Sequence, residues 1–211
     1  MKNFKIKIAL VSLFAIGYAL VAGAQQAPEF MVTWKSGNYV PADYQGKILP
    51  IGGSTIEVAM ELIDGDHLAD LSVNTIRWDI NGIFYKSGRD LKVISFTADG
   101  AKGDQTADIS LTYRGKSLDK RVIIPLARPE VVITGGPDIF KALLYFFNLS
   151  SPTQAKFTWT VNSNSVEASG QNPDVAKLAG VPSGANIDLR LNVQNLLKPL
   201  EVAGASIQFQ K

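Results

Sequence analysis

The stretch Thr75-Ile76-Arg77-Trp78-Asp79-Ile80-Asn81-Gly82 leaves few folds open to the chain. Successive side chains of a strand point to opposite faces, so Ile76, Trp78 and Ile80 share one face and Arg77 and Asp79 the other. Asn-Gly is the pair favoured in two-residue hairpin turns. Lys156-Phe157-Thr158-Trp159-Thr160-Val161-Asn162-Ser163 repeats the pattern 81 positions on, with Phe157, Trp159 and Val161 on one face. A tryptophan at the centre of an alternating strand, followed by a tight turn, predicts the core strand of a β-sandwich. Two copies predict two sandwiches.

The remaining apolar stretches agree. In residues 28–128, short strands are expected at Phe30-Met31-Val32-Thr33-Trp34, through Ile56, Val58, Met60 and Leu62, and at Ile83-Phe84-Tyr85-Lys86 after the Trp78 strand. Further strands are expected at Val93-Ile94-Ser95-Phe96, Ile109-Ser110-Leu111-Thr112-Tyr113 and Val122-Ile123-Ile124. Turn signals separate them about every 8–12 residues, the spacing of a sandwich. Arg128-Pro129-Glu130 is a short join, kept extended by its proline. Residues 129–211 then run through Val131-Val132-Ile133, the Trp159 strand, Val166, Val175-Ala176-Lys177-Leu178, Ile187 to Val193 and Ile207-Gln208-Phe209. Asp108-Ile109-Ser110-Leu111 matches Asp188-Leu189-Arg190-Leu191 at an offset of 80, which reads as a duplicated module with one residue lost between. The expected fold is all-β, two tandem sandwich domains at 28–128 and 129–211.

The two tryptophan strands resemble those of immunoglobulin-like and PKD-like modules of secreted bacterial surface proteins. Trp34, Asn38-Tyr39-Val40-Pro41, Tyr44, Gly46-Lys47 and Leu49-Pro50 are also similar to an exported bacterial family with tandem immunoglobulin-like domains. The resemblance implies fold far more than function, since sandwich modules host many roles.

Residues 1–24 have the three parts of a secretory signal peptide. Lys2, Lys5 and Lys7 make a basic leader, 8–24 is uncharged and mostly apolar, and Ala22-Gly23-Ala24 supplies an A-x-A cleavage site. The competing reading is a retained anchor, but 17 residues stand at the short end of the ~17–25 that span a bilayer. Removing those three lysines from the 21 basic residues leaves 18 against 19 acidic ones, a mature charge near −1. No footprint for nucleic acid or anionic lipid remains. The absence of cysteine excludes disulfides, thiolate catalysis, cysteine-ligated metals and a lipoprotein anchor. The expected location is the periplasm, the cell surface or the medium, with no membrane span after cleavage and an envelope or surface protein as partner.

Chemistry is thin. His67, the only histidine, lies in Asp64-Gly65-Asp66-His67-Leu68-Ala69-Asp70 with no nucleophile motif nearby, and reads as a solvated turn. Asp64, Asp66 and Asp70 could hold calcium through oxygen ligands, but their spacing lacks the full EF-hand pattern and its closing glutamate. No catalytic residue, cofactor motif or metal site is expected. Tyr39, Tyr44 and Trp34 could form an aromatic platform for a sugar ring, or lid the open edge of the first sandwich. Asn148-Leu149-Ser150 fits a glycosylation sequon by chance.

Ile139 to Phe147 is more apolar than one half-buried strand requires. Period 2 puts Phe140, Ala142, Leu144 and Phe146 on one row, and Ile139, Leu143, Tyr145 and Phe147 on the other. The second row is expected to make an interdomain or intermolecular contact, unless a helical turn at 139–143 folds it back. The expected role is a non-enzymatic structural or interaction module, with glycan binding through the aromatic loop as the alternative. Mass spectrometry of the exported protein should find a chain beginning at or near Gln25; an intact Met1-to-Lys7 leader would establish the anchor instead.

Overall fold

The computed structural model describes residues 27–136, 138–166, 168–169, 172–178, 182 and 184–211. The expected leader and its cleavage site lie outside the described residues. Among the described residues, every element longer than a single 3-10 turn is a strand. Strands β1 (Glu29–Ser36), β2 (Thr55–Asp64), β3 (His67–Leu68) and β6 (Val93–Thr97) form one sheet, ordered β1-β2-β3 with β6 also on β2. Strands β4 (Thr75–Ile80), β5 (Ile83–Arg89), β7 (Gln105–Tyr113) and β8 (Lys116–Ile124) form a second, ordered β5-β4-β7-β8.

The architecture then repeats. Strands β9 (Glu130–Gly135), β10 (Ile139–Tyr145), β13 (Ala168–Ser169) and β14 (Asn172–Lys177) lie in the order β13-β14-β10-β9. Strands β11 (Ala155–Val161), β12 (Asn164–Val166), β15 (Asn186–Asn195) and β16 (Val202–Gln210) lie in the order β12-β11-β15-β16. A sheet of the first, second, sixth and fifth strands of the repeat, β9, β10, β14 and β13, beside one built on the tryptophan strand is an immunoglobulin-like arrangement with one extra strand, β12, on the tryptophan sheet. The molecule is all-β, with immunoglobulin-like sandwiches in tandem.

Alternation decides which face is buried. Phe140, Ala142 and Leu144 of β10, Trp159 of β11 and Leu189, Leu191 and Val193 of β15 form one core, at 3% exposure or less. In the first two sheets the inward rows are Ile56, Val58 and Met60 of β2, Ile94 and Phe96 of β6, Ile76 and Trp78 of β4, and Ala107, Ile109 and Leu111 of β7. The outward rows are polar, with Arg77 paired to Asp79, Arg121 to Asp108 and Arg190 to Asp188 at 2.6 Å each. The guanidinium hydrogen bonds hold the Asp79 and Asp188 carboxyls below their usual range. Exposed pairs of this kind keep the face wet more than they stabilise it.

Chain contacts place Glu61–Asp70 in one compact unit and Val32–Met60 with Leu71–Lys211 in another. In the first, Ile63 stands opposite Leu68 and Asp64 opposite His67. His67 therefore sits in a two-residue strand rather than a loop, exposed, with its ring nitrogen 3.1 Å from Asp66.

The duplication is visible in bonds as well as order. Trp78 donates its indole N–H to the Leu91 carbonyl at 2.8 Å, and Trp159 donates to Pro173 at 3.1 Å. Asn81 and Asn162 both adopt left-handed φ, 52° and 47°, at the following turn. Each accepts a backbone N–H from across the sheet, Thr106 at 2.9 Å and Asp188 at 2.8 Å. These registers correct one expectation. Trp78 pairs with Ile109 and Trp159 with Leu191, so Asp108 corresponds to Arg190, at an offset of 82, and not to Asp188. A two-residue slip keeps every side chain on its face, so an alternating pattern cannot detect it.

The helical turn at 139–143 does not form, because β10 is held on both sides by β9 and β14. Replacing Trp78 or Trp159 with alanine should lower stability by about 3–5 kcal/mol, the range for large aromatics in cores. Urea unfolding checks this, and a near-wild-type midpoint would show that the tryptophan is not a core anchor.

Candidate functional site

Two segments far apart in sequence meet at the loop after β1. Tyr39 donates its backbone N–H to the Phe147 carbonyl at 2.7 Å, as an isolated antiparallel bridge. The bridge is possible because β10 ends at Tyr145 and Phe146 turns left-handed, with φ 63°. For a bulky residue that conformation is uncommon and needs local support. Asn38 supplies it, donating Nδ2 to the Phe146 carbonyl at 3.0 Å. Ser36 in turn donates its hydroxyl to Asn38 Oδ1.

That one backbone reversal redistributes the expected rows. Phe147 no longer follows Ile139, Leu143 and Tyr145; it is fully buried in the core with Trp159 and Leu191. Ile139 stays 55% exposed at the far end of β10, and Leu143 and Tyr145 are half-buried. Tyr145 meets Tyr44 edge-to-face, with ring centroids 5.7 Å apart at 70°. Tyr44 also meets Phe146 at 5.9 Å and 84°. The Tyr44 hydroxyl donates to the Lys47 carbonyl at 3.3 Å, and Gly46 packs so closely on that phenol that a side chain there would collide. Lys47 places its ammonium 3.7 Å from the centre of the Trp34 ring. Burial, then the charge of Asp174, pushes the Tyr39 phenol above its usual range. Tyr39, Tyr44, Tyr145 and Phe147 thus converge, and Ile139 lies apart.

Beside the aromatics lies a polar hub with no signature in the sequence. Asn148 donates Nδ2 to Glu201 Oε2 at 2.9 Å and to the Gly52 carbonyl at 3.3 Å. Its Oδ1 accepts from Ser54 Oγ at 2.9 Å and from Asn38 Nδ2 at 3.3 Å. Its backbone N–H reaches Glu201 Oε1 at 2.7 Å, and its carbonyl accepts from Asn195 Nδ2 at 3.1 Å. Asn148 is half-buried, and every one of its donors and acceptors is engaged, as polar groups taken out of water require. Asn38, Ser54, Asn195 and Glu201 are themselves at 9% exposure or less. Lys198 Nζ donates to the Gly53 carbonyl at 2.8 Å, and Ala127 N–H to Pro50 at 2.8 Å. The sequon asparagine is therefore a structural hub, its amide already bound on both hydrogens.

Asp64 is buried while Asp66 and Asp70 are exposed, and no group of three His, Cys, Asp or Glu side chains able to hold a metal lies among the described residues. No helix among them is long and apolar enough to cross a membrane.

No known protein family matches the chain, and no curated protein does. Among solved structures, the chain is similar to the three N-terminal domains of the Highly Immunogenic Outer Capsid protein of bacteriophage RB49, at 9% identity and TM-score 0.48. That match covers 86% of this chain and 59% of the other. It is also similar to SGBP-B of the Bacteroides ovatus mixed-linkage glucan utilization locus, solved in complex with a mixed-linkage heptasaccharide, at 16% identity and TM-score 0.29. There the coverage is 87% of this chain and 47% of the other, so the chain spans about half the length of the proteins it matches.

Changing Asn148 to alanine should lower stability by about 2–4 kcal/mol, because it strips several buried partners of their hydrogen bonds at once. Chemical denaturation checks the size, and a change below about 0.5 kcal/mol would show that the hub is solvated in solution.

Proposed function

We propose that the chain is a non-enzymatic structural or protein-interaction module of a bacterial envelope or surface appendage, exported by its leader. In this reading residues 28–128 and 129–211 are its two sandwich domains. The observation that carries it is that the loop after β1 meets the end of β10, with Tyr39 bridged to Phe147 and Tyr44 packed on Tyr145. A sugar platform needs an open ring face. The Tyr44 ring is met by Tyr145 and Phe146, and the Trp34 ring is covered by Lys47. The aromatics that favour a glycan site in the sequence serve here to join parts of the chain. The polar groups beside them are likewise engaged within the chain, with both Glu201 carboxyl oxygens accepting from Asn148.

The test is retention of the mature protein on envelopes prepared from producing cells. Retention should be abolished when the envelopes are first treated with protease, and should be indifferent to soluble oligosaccharides. Retention that survives protease and is competed by oligosaccharide would overturn the reading in favour of glycan binding.

A further inference from the structure

Between β15 and β16 the chain crosses Leu196-Leu197-Lys198-Pro199-Leu200. Leu196, Leu197 and Leu200 are 55%, 68% and 98% exposed, and nearby Val202 is 49% exposed. The loop that shows these side chains is closely tied. Asn195, fully buried, accepts from the backbone N–H of Leu197 at 2.8 Å and of Lys198 at 3.2 Å. Glu201 N–H closes on the Lys198 carbonyl at 2.8 Å, Gln194 Nε2 holds the Pro199 carbonyl at 2.8 Å, and Leu196 N–H reaches Gln154 at 2.9 Å. A display ordered in advance loses less entropy when something covers it.

A groove of about 370 Å³ runs beside the loop, lined by Ile51, Ala127, Arg128, Lys198, Leu200 and Val202 among others. Two cations flank it. Arg128 is exposed and has no ion-pair partner among the described residues. Lys198 binds a carbonyl, that of Gly53, and no carboxylate. Glu201 also lines the groove, but it is 9% exposed and both its oxygens face Asn148. The face therefore combines exposed apolar side chains with two cations, Arg128 and Lys198, against the single, nearly buried carboxylate of Glu201.

We propose that this face is the docking surface for a partner protein, and that its occupant is an acidic segment carrying apolar side chains. Its carboxylates would meet Arg128 and Lys198, and its apolar groups would cover Leu197, Leu200 and Val202. Exposed apolar patches mark interaction sites, and complementary charge selects and steers the partner. The proposal rests on the interaction-module reading and gives that reading a surface.

The test is fluorescence anisotropy on the whole mature chain with two labelled probe peptides, one alternating Asp and Leu and one alternating Lys and Leu. The acidic probe should bind and the basic one should not, with affinity falling as salt rises. Arg128→Glu, and separately Leu197→Ser with Leu200→Ser, should each weaken the acidic probe by about tenfold or more. Thermal unfolding should not change, since these side chains are exposed, and Arg128→Glu leaves the loop itself untouched. No binding of the acidic probe, or equal binding by the variants, overturns the proposal. So does leucine-dependent binding to phosphatidylglycerol vesicles that exceeds binding of the probe, which assigns the face to a bilayer. A leucine-dependent dimer in sedimentation assigns it to a second copy and overturns it too. The envelope assay separates the two readings. Undiminished retention of both variants overturns this surface and leaves the module reading standing, whereas a wild type that is never retained overturns the module reading and leaves the peptide result to decide this one.

Discussion

Much of what surrounds the join between the sandwiches depends on Asn148 being fully hydrogen-bonded. Its amide and backbone reach Asn38, Gly52 and Ser54 on one side and Asn195 and Glu201 on the other. A buried polar group left without a partner is expensive, so the six bonds stand or fall largely together. The consequences spread outward. Asn38, held by Ser36, stabilises the left-handed Phe146, and that reversal sends Phe147 into the core. Asn195 and Glu201, held by Asn148, set the loop that shows Leu197 and Leu200.

The two sandwiches follow one plan with different finishing. Both bury a tryptophan whose indole N–H is satisfied by a backbone carbonyl, and both follow it with a left-handed asparagine that ties the turn to a neighbouring strand. The first turn is Asn81-Gly82, both at positive φ, as a two-residue hairpin demands. The second is Asn162-Ser163, where Ser163 takes φ 68° without glycine's freedom. The core is kept, and the turns at the rims differ.

The aromatic cluster changes the meaning of residues that look like a binding surface. Tyrosine and tryptophan combine a large apolar body with a polar tip, so they serve equally at ligand sites and at internal seams. Here Tyr44, Tyr145 and Phe146 spend part of their ring surface on edge-to-face and tilted contacts with one another, while Leu197 and Leu200 are exposed aliphatic side chains.

Strand identity was legible in the sequence wherever one face is buried. Ile76, Trp78, Ile109, Leu189 and Leu191 alternate because the pleat does, and the core requires that alternation. The same period of two hid the register, which is why Asp108 seemed to match Asp188 until the pairing of Ile109 and Leu191 with the tryptophans settled it. Period 2 also placed Phe147 on the outer row, since nothing local announces that Phe146 will turn left-handed under a hydrogen bond from Asn38, 108 residues away. The Asn148 hub was invisible for the same reason. Its partners are single polar residues at strand ends, unremarkable one by one, and only the fold brings Asn38, Ser54, Asn195 and Glu201 within hydrogen-bond reach of one amide. Local pattern determines which residues face inward, because that depends on neighbours along the chain. Which buried polar groups satisfy one another depends on distance in space, and that was decided by tertiary structure alone.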